Sequence, residues 1–269
     1  MSVFSDVEKF YNGYKGCKKI IGYSILGRPI FALKVGHGRP VGVVQGAIHA
    51  REWITAYLIL EQIRLGVCQG SVWFIPLSNP DGAMISTRGL DSVKGEWQKK
   101  LLINANGEGD FSLWKANASA VDLNVNFDAR WGTGLYNVKF PSSANYIGVN
   151  PFSEPETRAL RDFTLQICPQ YTISYHTMGE EIYWQFHQPF LRCLRDKRLA
   201  CILSTLTGYP LKTAEGSVGG YKDWCIEKLR IPAFTIEVGQ GKHPLGFDHL
   251  NDILRCNLST VRSFSARWG

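Results

Sequence analysis

The sequence lacks paired cysteine motifs and any segment typical of a secretory leader or a membrane span. Its seven cysteines are an odd number, are scattered, and include no CxxC pair. This argues against a disulfide framework and against a cysteine-based zinc site, and it predicts reduced thiols. No terminal segment combines a basic start with an apolar run, and no apolar run could span a bilayer. We expect a water-soluble, cytoplasmic protein, with export by another route or a leader outside this sequence left open.

A surface suited to nucleic acid is also lacking. The formal net charge is +7, from 30 lysines and arginines against 23 acidic residues. These cations are dispersed, and their densest run, RCLRDKRLA at 192–200, has no interleaved stacking aromatics. We interpret this run as a solvated helix face and expect no nucleic-acid partner and no membrane partner. A basic protein suits an anionic substrate, but charge alone does not select one.

No internal repeat, low-complexity segment or interdomain linker interrupts the 269 residues. A chain of this length with 45% hydrophobic residues can bury a large core, so we expect one domain over residues 1–269. Residues 1–18 are a possible N-terminal extension or helix. The sequence does not fix the oligomeric state.

Continuously apolar runs, typical of strands covered on both faces, alternate with helical patterns. The predicted strands are residues 30–35, 41–47, 72–76, 171–175 and 233–238. The predicted helices are residues 53–65, 155–168, 190–206, 221–229 and a long terminal helix near 249–265. The alternation predicts an α/β fold with a largely parallel or mixed sheet and helices on both faces.

Two segments carry distinct local signals. In PFSEPETRAL, Ser153 is the predicted N-cap, Pro155 lies in the first turn and Glu156 follows three residues after the cap. Residues from about 81 to 120 show the weakest pattern, because NPDGA and NANGEGD are turn or loop chemistry. We expect a long loop there, placed over a site.

Ionisable residues are concentrated where a predicted strand meets a predicted helix, in VVQGAIHAREWITAYLI at 43–59. His49 follows the strand, and Glu52 begins the helix three residues later. Ligands of open α/β sheets collect at the carboxyl ends of strands, and imidazole nitrogen and carboxylate oxygen are good zinc ligands. The pair is a candidate half of a metal site, although an HxxE pair also occurs often by chance.

Two further residues can reach the same sheet edge. His176 in YTISYHTMGEE completes two histidines and one carboxylate, the ligand set of a catalytic zinc with one position left for water. Glu237 in PAFTIEVGQG is a carboxylate in an apolar strand, where burial without a task is unfavourable. Beside zinc it can take a proton from water and deliver it to a leaving amine. Structural alternatives stay open: a hydrogen-bonded histidine for His176 and a salt-bridge partner for Glu237.

The sequence resembles the zinc carboxypeptidase family, the M14 metallopeptidases. Six stretches carry the resemblance in the family's order, over nearly the whole chain from about residue 19: HAREW at 49–53, NPDG at 79–82, LWKANASAVDLNVNFDARWG at 113–132, SYHT at 174–177, GGYKDW at 219–224 and FTIEVG at 234–239. It implies a single α/β domain with a mixed, roughly eight-stranded twisted sheet and helices on both faces.

The resemblance also implies roles for individual residues. Three of them match the family's ligands for one Zn²⁺ per chain: His49, Glu52 and His176. Glu237 matches the general base. Arg51 matches a substrate-binding arginine, and Asn124 matches an asparagine that binds the substrate's carboxylate.

The substrate positions depart from the family pattern. Val125 stands where family exopeptidases have an arginine that grips the C-terminal carboxylate, a charge-assisted contact that valine cannot make. Arg130 is the nearest substitute, with a surface arginine as the alternative. Lys115 follows Trp114 where the family commonly has an arginine that stabilises the oxyanion. An ammonium can do the same with less geometric control, and an exposed loop lysine is the alternative.

The predicted specificity pocket departs as well. Lys222 in GGYKDW falls near the position that lines the family's pocket, where a lysine favours an acidic side group such as the distal carboxylate of diaminopimelate. A solvated lysine is the alternative. The family's mobile tyrosine has no clean counterpart, because TAEGSVGG contains Glu215 and no tyrosine. Tyr221 is the nearest candidate.

These features look most like the bacterial branch of the family that cuts peptidoglycan stem peptides between γ-D-glutamate and meso-diaminopimelate. We expect a zinc peptidase acting on such a peptide, with Glu237 as base and Lys115 polarising the attacked carbonyl. The alternative enzyme is a carboxypeptidase that removes acidic C-terminal residues, with Arg130 or Lys222 holding the terminal carboxylate. A catalytically silent relative that binds wall peptides also stays open. The bond cleaved is not fixed by the sequence.

Overall fold

The computed structural model describes residues 2–107, 109–213 and 216–268, and a sheet of eight strands lies at the centre of this part. The strands are β1 Lys18–Tyr23, β2 Pro29–Gly36, β3 Val41–Gly46, β4 Ser71–Ile75, β5 Tyr171–His176, β6 Glu181–Tyr183, β7 Leu211–Lys212 and β8 Ala233–Glu237. Their order across the sheet is β1-β2-β4-β3-β5-β8-β6-β7. The four central strands β4, β3, β5 and β8 are parallel, and β1, β2 and β6 add antiparallel pairs. The predicted mixed α/β sheet is confirmed.

Helices cover both faces of this sheet, as predicted. In the described part of the chain they are α1 Val3–Gly13, α2 Ile54–Leu65, α3 Pro80–Arg88, α4 Glu96–Asn106, α5 Pro155–Ile167, α6 Phe190–Thr207, α7 Tyr221–Glu227, α8 Leu250–Asn257 and α9 Thr260–Ala266. Successive strand residues point to opposite faces. Val43 and Trp73 therefore pack with α5 and α7, whereas Val44 and Phe74 pack with α1, α2, α6, α8 and α9.

Two helices lie where the sequence predicts a loop. The prediction for residues 81–120 is wrong for α3 and α4, because the NPDG stretch begins a helix instead of a turn. Asn79 Oδ1 accepts a hydrogen bond from Gly82 N at 2.9 Å, and Pro80 occupies the first turn. Apolar residues of both helices form a small core of their own with the fully buried Trp114.

Other boundaries differ in smaller ways. All five predicted strands are confirmed to within one residue at each end, and α1 lies in the possible N-terminal helix. Ser153 is not the N-cap of α5: the cap is Glu154, and Ser153 Oγ donates to its carboxylate at 2.7 Å. The predicted terminal helix is divided into α8 and α9. At the break, Asn257 O accepts from Gln62 Nε2 at 2.8 Å and is therefore engaged outside the helix.

The structure agrees with the prediction of reduced thiols and shows how long and apolar the helices are. All seven cysteine thiols are free, and Cys225 in α7 is the one that is fully buried. Among the helices of residues 2–107, 109–213 and 216–268, none is long and apolar enough to cross a membrane. The predicted compartment is untested by these findings.

Three buried carboxylates lie together where the β1–β2 turn meets α3 and α5. Asp81 is paired with Arg28 Nη1 at 2.5 Å. Glu154 and Glu156 share Asn117 Nδ2, at 2.8 and 3.2 Å. Burial, together with the charges of Asp81 and Glu154, raises the pKa of Glu156 to about 8. The carboxyl group of Glu156 therefore favours its neutral form near neutral pH.

The raised pKa of Glu156 links stability to pH. Its ordinary pKa is 4.5, so as pH rises the unfolded chain releases this proton before the folded chain does. The contribution of this group to the free energy of unfolding is complete below about pH 4.5 and is lost as pH rises through about 8. Glu156→Gln removes this titration. When the pH rises from 5 to 8, the free energy of unfolding of the variant is therefore expected to increase relative to that of the parent protein by on the order of 1–3 kcal/mol.

Urea unfolding of both proteins at the two pH values measures this change. Glu96→Gln is the matched control, because the Glu96 side chain is 88% exposed and pairs only with Lys99 among the described residues. The control keeps the same stability difference from the parent at both pH values. A Glu156→Gln difference that does not change with pH would contradict the assignment.

Candidate active site

The ends of two neighbouring strands bring three side chains together, and we call them the ligand triad. His49 follows β3, Glu52 ends the 3₁₀ turn Ala50–Glu52, and His176 is the last residue of β5. The Nδ1 atoms of His49 and His176 each lie 2.9 Å from a Glu52 carboxylate oxygen and 3.1 Å from each other. All three side chains are buried, and their candidate ligand atoms lie within 4.8 Å of one another.

Hydrogen bonds fix the turn that carries His49 and Glu52. Thr55 Oγ1 accepts from Ala47 N and donates to Glu52 O, both at 2.8 Å, and so ties the strand end to the turn. Ala50 N donates to Lys115 O at 3.0 Å, which brings the segment around Lys115 to the same place. The turn is therefore held by neutral contacts that are independent of its charged side chains.

Asp122 contacts His49 behind the ligand triad, and Lys115 in turn contacts Asp122. His49 Nε2 lies 3.4 Å from Asp122 Oδ1, and Lys115 Nζ lies 2.9 Å from Asp122 Oδ2. Burial alone would raise the pKa of Asp122, but Lys115 and His49 outweigh it and hold the pKa below its usual range. An anionic Asp122 beside Nε2 favours a proton on that nitrogen, the tautomer in which the lone pair of His49 Nδ1 faces the triad.

Glu237 lies beside the triad at the end of β8. In the parallel register of β5 and β8 it is the direct partner of His176, and across β6 its partner is Glu181. Burial raises the pKa of Glu237 to about 8, with His176 opposing the rise and Glu52 adding to it. A carboxylate in this position is a stronger proton acceptor than an exposed one.

The triad histidines and Glu237 line a cavity of about 310 Å³. Its other walls come from several segments of the chain and include both charged and neutral side chains. They include Lys115, Asn124, Val125, Tyr136, Tyr183 and Lys222. The cavity therefore joins a buried metal-type ligand set, the half-buried base Glu237 and two cations.

The comparisons with known proteins agree with this site. Residues 14–255 match the zinc carboxypeptidase family, peptidase family M14. The chain belongs to this family. It is 30% identical over 271 residues to gamma-D-glutamyl-L-diamino acid endopeptidase 1 of Lysinibacillus sphaericus, an alignment that covers 93% of this chain and 68% of that protein.

Two further similarities extend this finding. Murein peptide amidase A of Escherichia coli K12 is 33% identical over 135 residues, covering 46% of this chain and 50% of that protein. The structure of bovine thrombin-activatable fibrinolysis inhibitor in complex with tick carboxypeptidase inhibitor matches with a TM-score of 0.77 at 20% identity, covering 99% of this chain and 96% of that one. The second similarity shows the carboxypeptidase fold.

The ligand triad fits the zinc ion on which zinc carboxypeptidases depend. Two imidazole nitrogens and one carboxylate are a catalytic zinc set, with a position left for water or substrate. Burial alone would raise the pKa of Glu52, but His49 and His176 hold it below its usual range. The carboxylate is thus anionic, as a metal ligand must be. The triad can hold one Zn²⁺ per chain.

The predicted catalytic Lys115 and two predicted substrate-binding residues, Asn124 and Lys222, line the cavity. Asn124 Oδ1 accepts from Tyr221 N at 3.1 Å, which fixes the orientation of its carboxamide. Lys222 is not a solvated lysine, because only 8% of its side chain is exposed. Its Nζ lies 2.5 Å from Asp223 Oδ1 and 3.2 Å from Gln185 O. The cavity therefore presents an ion pair where the sequence predicts a lone cation.

Two other predicted substrate residues are not brought to the cavity, which corrects both assignments. Arg130 is 47% exposed, and its Nε lies 3.3 Å from Glu227 Oε1 on the surface. Tyr221 is fully buried, and its hydroxyl lies 2.8 Å from Thr164 Oγ1. Arg51 lies in the turn of the ligand triad but outside the cavity wall, so its role stays a prediction.

The structure adds three residues that the sequence reasoning missed: Asp122, Tyr136 and Tyr183. Asp122 was detectable, because it is a carboxylate within the apolar stretch AVDLNV and the argument used for Glu237 applies to it. The two tyrosines line the cavity, Tyr183 as a donor to Glu181 Oε1 and Tyr136 with 69% exposure. They lie on a short strand and in a loop, where no periodicity marks them. Glu215, in the segment where the family's tyrosine is expected, lies outside the described residues.

Asp122→Asn is expected to weaken zinc binding. The asparagine keeps the shape of the side chain but loses the charge that orients His49 and pairs with Lys115, and losing such a partner costs roughly 10–100-fold in metal affinity. Competition with a chelating dye for zinc measures the change. Asp128→Asn, which alters a half-exposed carboxylate 3.5 Å from Lys228, is the control and keeps the parent's affinity. Equal affinity in Asp122→Asn and the parent would refute the role of Asp122.

Proposed function

We propose that this zinc carboxypeptidase family member hydrolyses an amide bond in bacterial cell-wall stem peptides, between γ-D-glutamate and meso-diaminopimelate. The observation that carries the proposal is the ligand triad with Glu237 at the neighbouring strand end, facing a cavity that has Val125 in place of a carboxylate-binding arginine. The names of the relatives from L. sphaericus and E. coli support the choice of substrate. Action in the cytoplasm stays a prediction.

Each of these residues has its own role in the proposed hydrolysis. The ligand triad would hold the zinc ion, which when bound would supply a Lewis acid that activates water. Glu237 accepts the proton of the attacking water and returns it to the departing amine. Lys115 places an ammonium at the cavity wall, where it offsets the negative charge that develops on the attacked carbonyl oxygen. Asp122 orients both His49 and Lys115 for these tasks.

The charges of the cavity support a substrate that carries both signs. Lys222 and Asp223 form a buried ion pair in the wall. The distal end of meso-diaminopimelate has an ammonium and a carboxylate on one carbon, so each group of the substrate finds an opposite charge there. Val125 is neutral and 7% exposed. A bond inside a longer peptide needs no clamp for a terminal carboxylate at this position.

Glu237→Gln is expected to abolish hydrolysis and leave zinc binding intact. Glutamine cannot accept the proton of the attacking water, a loss of roughly 10²–10⁴-fold in turnover. Mass spectrometry of defined tripeptide and tetrapeptide stems measures cleavage and its position, and metal analysis measures zinc. Glu180→Gln is the control, because it alters a partly exposed carboxylate that accepts a hydrogen bond from Gln240. This variant keeps both zinc binding and hydrolysis. Turnover retained by Glu237→Gln would overturn the mechanism, and absent turnover in the zinc-loaded parent would favour a silent binder of wall peptides.

The second candidate function is a carboxypeptidase for acidic C-terminal residues. Lys222 favours it, because a cation that lines the cavity can attract an acidic side chain. The two functions differ in their need for a free terminal carboxylate. We expect a stem peptide with an amidated C-terminus to be cleaved at a rate within about threefold of the free acid, since no arginine stands at position 125. Loss of cleavage on amidation would favour the carboxypeptidase.

A further inference from the structure

Helix α6 begins with three exposed apolar side chains, which we call the apolar tip. They are Phe190, Leu191 and Leu194, with 73%, 78% and 51% of their surface exposed. Their spacing of three and four residues places them side by side on one face of the helix. Single exposed apolar residues are ordinary, but a contiguous group of large ones indicates a surface that something covers.

Positive charge continues along the same exposed face. Arg195, Lys197 and Arg198 are exposed and follow the apolar tip within about one turn. The acidic residue of α6 is Asp196, which is fully buried and accepts hydrogen bonds from Arg195 Nε at 2.7 Å and Gln188 Nε2 at 3.1 Å. The outward face of this helix is therefore apolar at its start and cationic immediately after it.

A small cleft of about 330 Å³ opens beside these cations, and we call it the arginine cleft. It is lined by Arg195, Arg198, Leu199, Ile202, Arg267 and Trp268. Arg195 is committed to Asp196 and to a backbone carbonyl, that of Arg230. Within residues 2–107, 109–213 and 216–268, Arg198 and Arg267 have no carboxylate partner. Guanidinium groups over an apolar floor suit a phosphodiester attached to an apolar group.

We propose that the apolar tip and the arginine cleft form a docking surface for an anionic lipid bilayer. Apolar side chains bordered by cations are the composition of segments that lie in the membrane interface, and a tryptophan at the cleft suits the headgroup level. An anionic polymer would neutralise the cations but leave the apolar tip in water. The proposal departs from the expectation that the protein has no membrane partner, and it gives the exposed face of residues 192–200 a ligand. It goes beyond the proposed peptidase activity and does not depend on it, because none of its residues lines the active-site cavity.

Vesicle sedimentation with the zinc-loaded full chain tests the proposal. Vesicles of phosphatidylcholine containing about one third phosphatidylglycerol are compared with phosphatidylcholine alone, at low and high salt. We expect binding to the anionic vesicles that is at least about tenfold stronger than to the neutral ones and that weakens with salt. Absence of binding, or equal binding to both vesicles, would overturn the proposal.

Two sets of variants locate the binding surface. Arg198→Gln with Arg267→Gln lowers partitioning roughly tenfold or more, and the combined Phe190→Ser, Leu191→Ser and Leu194→Ser variant does the same. The controls are Trp97→Ser, at a side chain with 73% exposure on α4, and Arg255→Gln, with 74% exposure on α8. Controls stay within about twofold of the parent. All variants keep zinc content and hydrolysis of a soluble stem peptide, so a failure of the peptidase proposal is seen separately.

Other occupants of the surface give different results. If the apolar tip joins two copies of the chain, the triple variant turns a dimer into a monomer on size-exclusion chromatography while no variant binds vesicles. If another part of the chain binds lipid, both variant sets sediment with vesicles like the parent. Either result would overturn the assignment of this surface.

Discussion

The buried contact between one carboxylate and two imidazoles is the interaction on which the rest of the site depends. Taking the Glu52 carboxylate out of water is unfavourable by several kcal/mol unless partners compensate it, and His49 and His176 are those partners. The parallel pairing of β3, β5 and β8 supplies the geometry, because it ends these neighbouring strands at one edge of the sheet. The same register places Glu237 beside the ligand set, so the fold itself assembles the site.

This dependence on strand ends explains what could be predicted. Apolar strands are recognisable in the sequence, and the pattern alone therefore places a polar residue that ends such a strand at the sheet edge. The sequence pattern does not predict where side chains outside the sheet point. Tyr221 lies on the buried face of a short helix, and Arg130 turns to a surface carboxylate. The capping by Asn79 and the contact between Gln62 and Asn257 depend on tertiary partners or helix context that turn propensity does not contain.

Buried charges in this protein differ according to their partners. Asp122 has a lysine and a histidine beside it and a lowered pKa, whereas Glu156 has other carboxylates beside it and a raised one. The cations of the cavity follow the same rule, since Lys115 and Lys222 each have an aspartate partner. The cavity therefore presents a bound substrate with oriented ion pairs, and the net charge of these pairs is small. This is the physical reason to expect selection for a zwitterionic group over a simple anion.

The zinc site at these strand ends can be observed directly. The most direct measurement is anomalous diffraction at the zinc absorption edge from crystals of the zinc-loaded protein. We expect one strong peak per chain at roughly 2.0–2.2 Å from His49 Nδ1, His176 Nδ1 and a Glu52 oxygen, with Glu237 facing the ion without binding it. A peak elsewhere, or a site that uses Glu237 in place of Glu52, would contradict it.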